Sequence, residues 1–314
     1  MSEFVIIPDT SCDLTRDLRE KYNIPDYLHG ILYHPDGKEE LSSLDWDNIS
    51  AKEYYDSMKG RKALYKTATP LVGEVYEVFE KYLKQGKDVL SISLSSALSS
   101  IYENNVKVAN DLMEKYPDRK IICIDSMRYS TSLALLIIEA SKKQAEGCSI
   151  EEVADYVNEI KHTIHQIGSM DDLFFLVKTG RVSNFKALFG QMVGLNIIAD
   201  FNEHGMSEII GKIKGQRDAI DAFLEYMEQT AVDIENQTVF VAHTNREAAA
   251  KLLRDKIKER FNPKEIILNT VGTACGATIG PGLCAAFYRG KPTSHDMVYE
   301  KDIMAKIIEI QKNK

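Results

Sequence analysis

Six serines lie between Ser91 and Ser100 in the stretch LSISLSSALSSIYENN, residues 90 to 105, with no charged residue among them. A strand that ends on neutral hydroxyls lacks the Lys, His or carboxylate that acid-base and covalent catalysis ordinarily use. Hydroxyls can instead orient a small polar or anionic group by hydrogen bonding. Two other stretches share this character: YKTATPLVGE, residues 65 to 74, and VGTACGATIGPG, residues 271 to 282. Each falls where a strand pattern gives way to a helix or loop, and ligands of open α/β sheets collect outside the carboxyl ends of strands.

Structural roles compete for the same residues. Ser50 with Glu53, Ser100 with Glu103 and Ser149 with Glu152 fit the S-x-x-E pattern of a helix capping box. Ser95 and Ser96 precede the expected cap and are not explained by it. Pro70 presets a helix start and holds Thr69 extended, which accounts for Thr69 better than for Thr67. Gly276 and Gly280 belong to a run whose glycines let backbone approach a ligand or a neighbouring segment closely. That run is neither a Walker loop nor GxGxxG. In LVKTGRVSNFKALFG, residues 176 to 190, Lys178 and Arg181 flank Gly180 at an expected helix C-terminus, where cations complement the dipole or face an anionic partner. A serine nucleophile would need a base; no G-x-S-x-G elbow is present, and His243 in VAHTN has no readable partner.

The five cysteines, Cys12, Cys123, Cys148, Cys275 and Cys284, form no CxxC pair, and the seven histidines are scattered apart from His162 and His165. Neither disulfides nor a metal site is expected. A formal charge of −8 argues against a nucleic-acid partner. No long apolar run or basic N-terminal leader is readable, so a cytoplasmic location without a transmembrane segment is expected, compatible with transient contact at a membrane surface.

The elements that position these residues come in two groups. FVII, DVLSISL and KIICIDS are short apolar strands, each followed by a helical pattern, which predicts a mostly parallel sheet flanked by helices over residues 1 to 165. Within it, GILYHPDGKEEL reads as a hairpin turning at Pro35-Asp36-Gly37. From 166 to 290, NIIADFNEHGMSEIIGKIK reads as an antiparallel hairpin, followed by alternating helices and strands, a second, mixed-sheet α/β domain. Residues 291 to 314 read as a polar link and an amphipathic C-terminal helix. LALLIIEA (133 to 140) and FKALFGQMVGLNII (185 to 198) are apolar enough to be core or the wall of an apolar tunnel.

Taken together, IIPDTSCDLT, TATPLVGEVYEVFEKYLKQGKDVLSISLSSALSSIYENN, CIDSMRYSTSLALLIIEA, FFLVKTGRVSNFKALFG, KIKGQRDAI and VGTACGATIGPG resemble the DegV family across nearly the whole chain. The resemblance implies a two-domain α/β protein holding a long-chain fatty acid in the cleft between the domains. It also implies a non-catalytic carrier, with no cofactor, that presents the acid to a separate ATP-dependent fatty-acid kinase subunit of phospholipid metabolism. By the same resemblance Thr67, Ser95, Ser96 and Ser99 hold the carboxylate, with Gly276, Thr278 and Gly280 completing the site, while Arg181 and Lys178 face the kinase. Thr278 stands where the family pattern has histidine, Ser100 where it has glycine, Ala68-Thr69 where it has Ser-Gln, and Thr179 where it has the first glycine of G-G-R-I. A serine-dependent hydrolase or transferase and a carrier of another small amphiphile are the alternatives.

Overall fold

The structure is a computed structural model that describes residues 3–170, 172–183 and 194–312. In chain order its elements begin β1 (Phe4–Pro8), α1 (Arg16–Lys21), β2 (Ile31–Tyr33), β3 (Glu39–Leu41), α2 (Ala51–Met58), β4 (Lys66–Ala68), α3 (Val72–Lys84), β5 (Asp88–Ser93), α4 (Ile101–Lys115), β6 (Ile121–Asp125), α5 (Thr131–Ala145) and α6 (Ile150–Ile160). They continue with β7 (Ile164–Met170), α7 (Phe174–Thr179), β8 (Val182–Ser183), β9 (Leu195–Phe201), β10 (Ser207–Lys214), α8 (Gln216–Thr230), β11 (Thr238–His243), α9 (Glu247–Phe261), β12 (Glu265–Thr270), α10 (Thr273–Ile279), β13 (Cys284–Arg289) and α11 (Val298–Lys312).

The chain divides into two compact units. The first comprises Met1–Ile49, Leu64–Lys161 and Gly272–Cys275; the second comprises Ser50–Ala63, His162–Val271 and Gly276–Lys314. The junction at Lys161 falls four residues before the expected boundary at 165. Three segments also group differently from the expected domains: 50 to 63 with the second unit, 272 to 275 with the first, and α11 with the second. Contiguous domain assignment cannot see such exchanges, because side-chain periodicity carries no information about which core a short segment joins.

In the first unit a parallel sheet runs β1-β5-β6, with Val5 opposite Val89 and Leu90 opposite Ile122. β1 and β5 are buried throughout, as their unbroken apolar runs require of strands covered on both faces. Val75, Phe79 and Leu83 of α3 and Val108 and Leu112 of α4 pack on Val5, Ile7 and Val89. On α5 every residue from Leu133 to Ile138, and Ala140, is buried, so LALLIIEA is core. A small antiparallel sheet, β3-β2-β4, carries the expected hairpin, with Gly37 at φ 90° in its turn.

The second unit holds a seven-stranded mixed sheet ordered β12-β11-β13-β7-β9-β10-β8. β7 and β13 are central and antiparallel. Neither was read from the sequence: IHQIGSM mixes polar and apolar side chains on a strand buried throughout, and CAAFYR follows a glycine-rich run that reads as helix or loop. Gly168 of β7 lies against β13 so closely that a Cβ there would sit 2.4 Å from that of Ala285. Ile220, Phe223 and Met227 of α8, Leu253 of α9 and Ile303 and Met304 of α11 form the core against this sheet.

TACGATI, which the sequence left open as helix or loop, folds into α10 despite its glycine. One local expectation is corrected. Ser50 and Ser149 form capping boxes with Glu53 and Glu152, but Ser100 does not with Glu103. Ser100 has φ −89° and ψ 17° instead of the extended backbone that lets a cap hydroxyl reach the N–H three residues on. Within the first turn Ser100 contributes only its carbonyl, accepting from Asn104 N–H at 3.1 Å.

Candidate functional site

The carboxyl ends of β1, β5 and β6 meet in the first unit and form an interlocked set of polar turns. After β1, Asp9 accepts from Ser11 N–H at 2.9 Å, from the Ser11 hydroxyl, and from Leu94 N–H of the next strand's loop at 3.0 Å. After β5, Ser95 N–H donates to the Arg128 carbonyl at 2.9 Å. After β6, the Ser126 hydroxyl donates to the same carbonyl at 3.0 Å, and Ser130 N–H returns to the Ser11 carbonyl at 2.8 Å. Met127 and Ser130 reach these positions with φ of 53° and 57°, a left-handed backbone that is uncommon outside glycine.

The serine stretch is divided among separate tasks. Ser91 and Ser93, buried in β5, accept from the Asn105 amide on α4 at 3.2 and 3.0 Å. A strand buried on both faces can carry hydroxyls only where such partners exist. Ser95 is fully buried at the turn; its carbonyl accepts from Leu98 and Ser99 N–H, and its hydroxyl accepts from Ala97 N–H at 3.3 Å. That use of the oxygen leaves the Ser95 proton to donate. Ser96 is exposed, and its hydroxyl donates to Asp125 Oδ2 at 2.5 Å while its N–H donates to Asp125 Oδ1 at 3.1 Å. Met127 N–H joins that carboxylate at 3.0 Å, so Asp125 clamps the β5 and β6 turns together. Ser99 is half-buried on the same turn.

Thr67 is exposed on β4, opposite Leu32 of β2. Its strand lies beside the β1 turn: Gly30 donates its N–H to Thr10 Oγ1 at 3.1 Å, and a Cβ on Gly30 would come within 2.8 Å of the Ala68 carbonyl. The start of the glycine-rich run joins the same region, with Gly272 N–H on Asp13 Oδ1 at 2.9 Å, Thr273 Oγ1 3.4 Å from Ser42 Oγ, and Cys275 Sγ 3.4 Å from the Ser11 carbonyl. Thr67, Ser95, Ser96 and Ser99 therefore belong to one unit.

Gly276, Thr278 and Gly280 belong to the second unit. Thr278 is half-buried. The two glycines have packing reasons of their own. A Cβ on Gly276 would lie 2.5 Å from the Tyr55 hydroxyl, and Gly280 combines φ 74° with the Phe175 ring at 2.2 Å from an added Cβ. Gly180, at φ 72°, closes α7 in the expected left-handed cap, accepting no Cβ penalty, while Lys178 and Arg181 beside it are exposed. Of the second apolar stretch, residues 185 to 193 lie outside the described residues.

Burial controls the charges here. It pushes the Asp9 carboxyl up, against the lowering effect of Ser11 and Leu94. Asp13 is pushed up to about 7, burial outweighing the Ser130 hydroxyl and Gly272 N–H that donate to it. Burial likewise raises the Cys12 and Cys275 thiols well above their usual range, so neither is a ready nucleophile. His243 belongs to the second unit; burial lowers its pKa, and its buried Nδ1 has no hydrogen-bond partner among the described residues. Among the described residues no carboxylate is hydrogen-bonded to it; Glu247 acts on it through charge alone, and that upward pull is smaller than the effect of burial. His165 is buried with Nδ1 2.6 Å from Asp200 Oδ2 and Nε2 2.8 Å from the Lys291 carbonyl, a structural link with no nitrogen left for a metal. Among the described residues one group, Glu203, His204 and Asp296, brings metal-ligand atoms within 4.8 Å of one another at the surface of the second unit.

Asp9, Asp13, Asp125 and Arg128 were not singled out from the sequence. The legible signal was repetition: PDTSCD after β1 and CIDSMRYS after β6 place Asp and hydroxyls after a strand, as SLSSALSS does after β5.

The family model described as "Uncharacterised protein, DegV family" matches residues 3–291. The chain belongs to the DegV family. A DegV domain-containing protein of Clostridium perfringens is 28% identical over 92% of this chain and 98% of its own length, and one of Caldanaerobacter subterraneus is 28% identical over 93% and 100%. Among solved structures, a DegV family protein of Thermus thermophilus described by its fatty-acid binding superposes with a TM-score of 0.82 at 21% identity, covering 92% of this chain and 100% of that one. A DegV lipid-binding protein of Thermotoga maritima gives 0.80 at 22% identity, covering 92% and 99%. DegV of Bacillus subtilis, described as a fatty-acid-binding protein, gives 0.79 at 20%, covering 93% and 100%. The two-unit α/β architecture is thus the DegV fold.

Proposed function

We propose that this protein is a non-catalytic carrier that binds a long-chain fatty acid, holds its carboxylate with serine and threonine hydroxyls, and presents it to a separate ATP-dependent kinase subunit that forms the acyl phosphate. The observation that carries the reading is the buried Ser95 turn at the carboxyl end of β5, with its hydroxyl oxygen occupied by Ala97 N–H and its proton available to an acceptor. Family membership supports it, as do the Thermus thermophilus and Bacillus subtilis DegV proteins described as binding fatty acids.

The energetics suit the site. At ~0.8 kcal/mol per buried methylene, a tail of about fourteen contributes on the order of 10 kcal/mol before ordering costs. The head group then requires orientation more than attraction, which neutral donors supply. A carboxylate oxygen free of a tight ion pair also stays nucleophilic toward a phosphoryl donor. Lys178 and Arg181, exposed beside the α7 cap, are the residues assigned to face the kinase.

The test is extraction of purified protein with organic solvent, followed by mass spectrometry. One long-chain acid per chain is expected, and failure to find or load any acid defeats the proposal. Ser95→Ala is expected to weaken retention about 10- to 100-fold, the scale of a hydrogen bond to a charged group. Ser96→Ala is expected to cost less, because the Ser96 proton already serves Asp125. Equal retention by wild type, Ser95→Ala and Thr67→Val would remove the head-group assignment.

A second reading has one observation behind it. Asp125 is a carboxylate hydrogen-bonded to an exposed serine, which is the base that a serine hydrolase would need. The same carboxylate also accepts two backbone N–H groups that fix the turn, which favours a clamp. Turnover of an acyl ester by the protein alone, abolished by Ser96→Ala, would establish the enzyme reading.

A further inference from the structure

Arg246 occupies an electrostatically unfavourable position in the second unit. It is the N-cap residue of the fifteen-residue α9, the end of a helix at which negative and not positive side chains are preferred. The side chain is half-buried, and among the described residues its guanidinium donates to neutral oxygens: the Gly282 carbonyl at 2.8 Å and Asn196 Oδ1 at 3.5 Å. Among the described residues it has no carboxylate partner, although partly buried cations usually acquire one.

Arg246 lines a cavity of about 320 Å³ together with Lys59, Arg61, Asn245 and Asp172. Three cations face one carboxylate there, in a chain whose formal charge is −8. Arg61 is held in place on two sides, by Nε and Nη2 on the Asp172 carboxylate at 3.2 to 3.3 Å and by the Phe174 ring 4.2 Å from its central carbon. Lys59 pairs with Asp56 Oδ1 at 2.6 Å, and Asn245 Nδ2 donates to the same oxygen at 2.8 Å. Asp172 thus pairs with Arg61, Asp56 is shared between Lys59 and Lys52, and Arg246 is the lining cation with no carboxylate partner among the described residues.

We infer that this cavity is a binding site for a phosphoryl group, anchored by Arg246 with Arg61 and Lys59 at its rim. A guanidinium presents several N–H donors in a planar fork matched to phosphate oxygens. A tetrahedral dianion has enough oxygens and charge to engage Arg246 and the free edge of Arg61 at once, and it answers both the excess cation and the α9 dipole. A carboxylate, with one charge and two oxygens in a plane, satisfies one fork only. The site lies wholly within the second unit and does not depend on the fatty-acid reading, whose tests are lipid extraction and Ser95.

The experiment is isothermal titration calorimetry of the full-length protein in chloride buffer with inorganic phosphate, AMP and acetyl phosphate. Saturable binding at one site per chain is expected, weakened at least ~10-fold by Arg246→Gln and partly restored by Arg246→Lys. Tighter binding of AMP than of phosphate assigns the phosphoryl group to a nucleotide; tighter binding of acetyl phosphate assigns it to an acyl phosphate; equal binding assigns the site to the free anion. Circular dichroism checks that Arg246→Gln is folded. If it is not, the surface double variant Lys59→Gln with Arg61→Gln decides, with the same loss expected. No saturable binding of any of the three up to about 10 mM, or binding undiminished in the folded variants, overturns the inference.

Discussion

Asp13 shows how one buried carboxyl can set the pH response of the unit it belongs to. Its carboxyl is buried, receives the Gly272 N–H and the Ser130 hydroxyl, and faces Asp9, whose charge adds to the upward push of burial. With a folded value of about 7 against an ordinary 3.8, the folded state holds more protons than the unfolded one between those limits. Stability from this group is therefore greatest at low pH and is lost as pH rises toward about 7. At about 1.4 kcal/mol per pH unit the full span is on the order of 4 kcal/mol. Asp13→Asn keeps an acceptor for Gly272 and removes the titration, so it should gain stability relative to wild type between pH 5 and pH 8. Parallel urea midpoints for the two proteins across that range would refute this. Neither Asp9 nor Asp13 stood out in the sequence, because PDTSCD reads as an ordinary polar turn; Gly272 and Cys275, more than 250 positions away, bond to Asp13 and to the Ser11 carbonyl of that turn.

Helices and strands were legible where their pattern is local. The β1, β5 and β6 runs, the hairpin of β9 and β10, and the helices following each strand all correspond to periodicities within a dozen residues. β7, β13 and α10 were not, since a buried strand with His165, Gln166 and Gly168 owes its position to its neighbours and not to its own hydrophobicity. The three S-x-x-E sites make the same point on a finer scale. Pattern alone equates Ser50, Ser100 and Ser149, but only the first and last have the extended backbone that completes the box. Ser149→Ala should then destabilise the protein by about 1 kcal/mol, while Ser100→Ala should change it by no more than a few tenths. Denaturant midpoints for the two variants read this directly, and an equal loss in both would mean that Ser100 caps α4 in solution.

For the molecule as a whole, the chain's single tryptophan separates the contributions of the two units. Trp46 lies in the first unit, so its fluorescence follows the unit that carries Thr67, Ser95, Ser96 and Ser99. A ligand that binds only the native state stabilises it by about 2.7 kcal/mol at a hundredfold excess over its Kd. If hydroxyls of the first unit hold the fatty-acid head group, added acid must raise the Trp46 unfolding midpoint, and Ser95→Ala must reduce that rise at the same acid concentration. The Arg246 cavity offers the complementary control, since its residues all belong to the second unit and Arg246→Gln should leave the acid-dependent shift of Trp46 unchanged. An acid that is retained on extraction yet leaves the Trp46 transition where it was would move the head-group site out of the first unit, and with it the assignment of the serine turn.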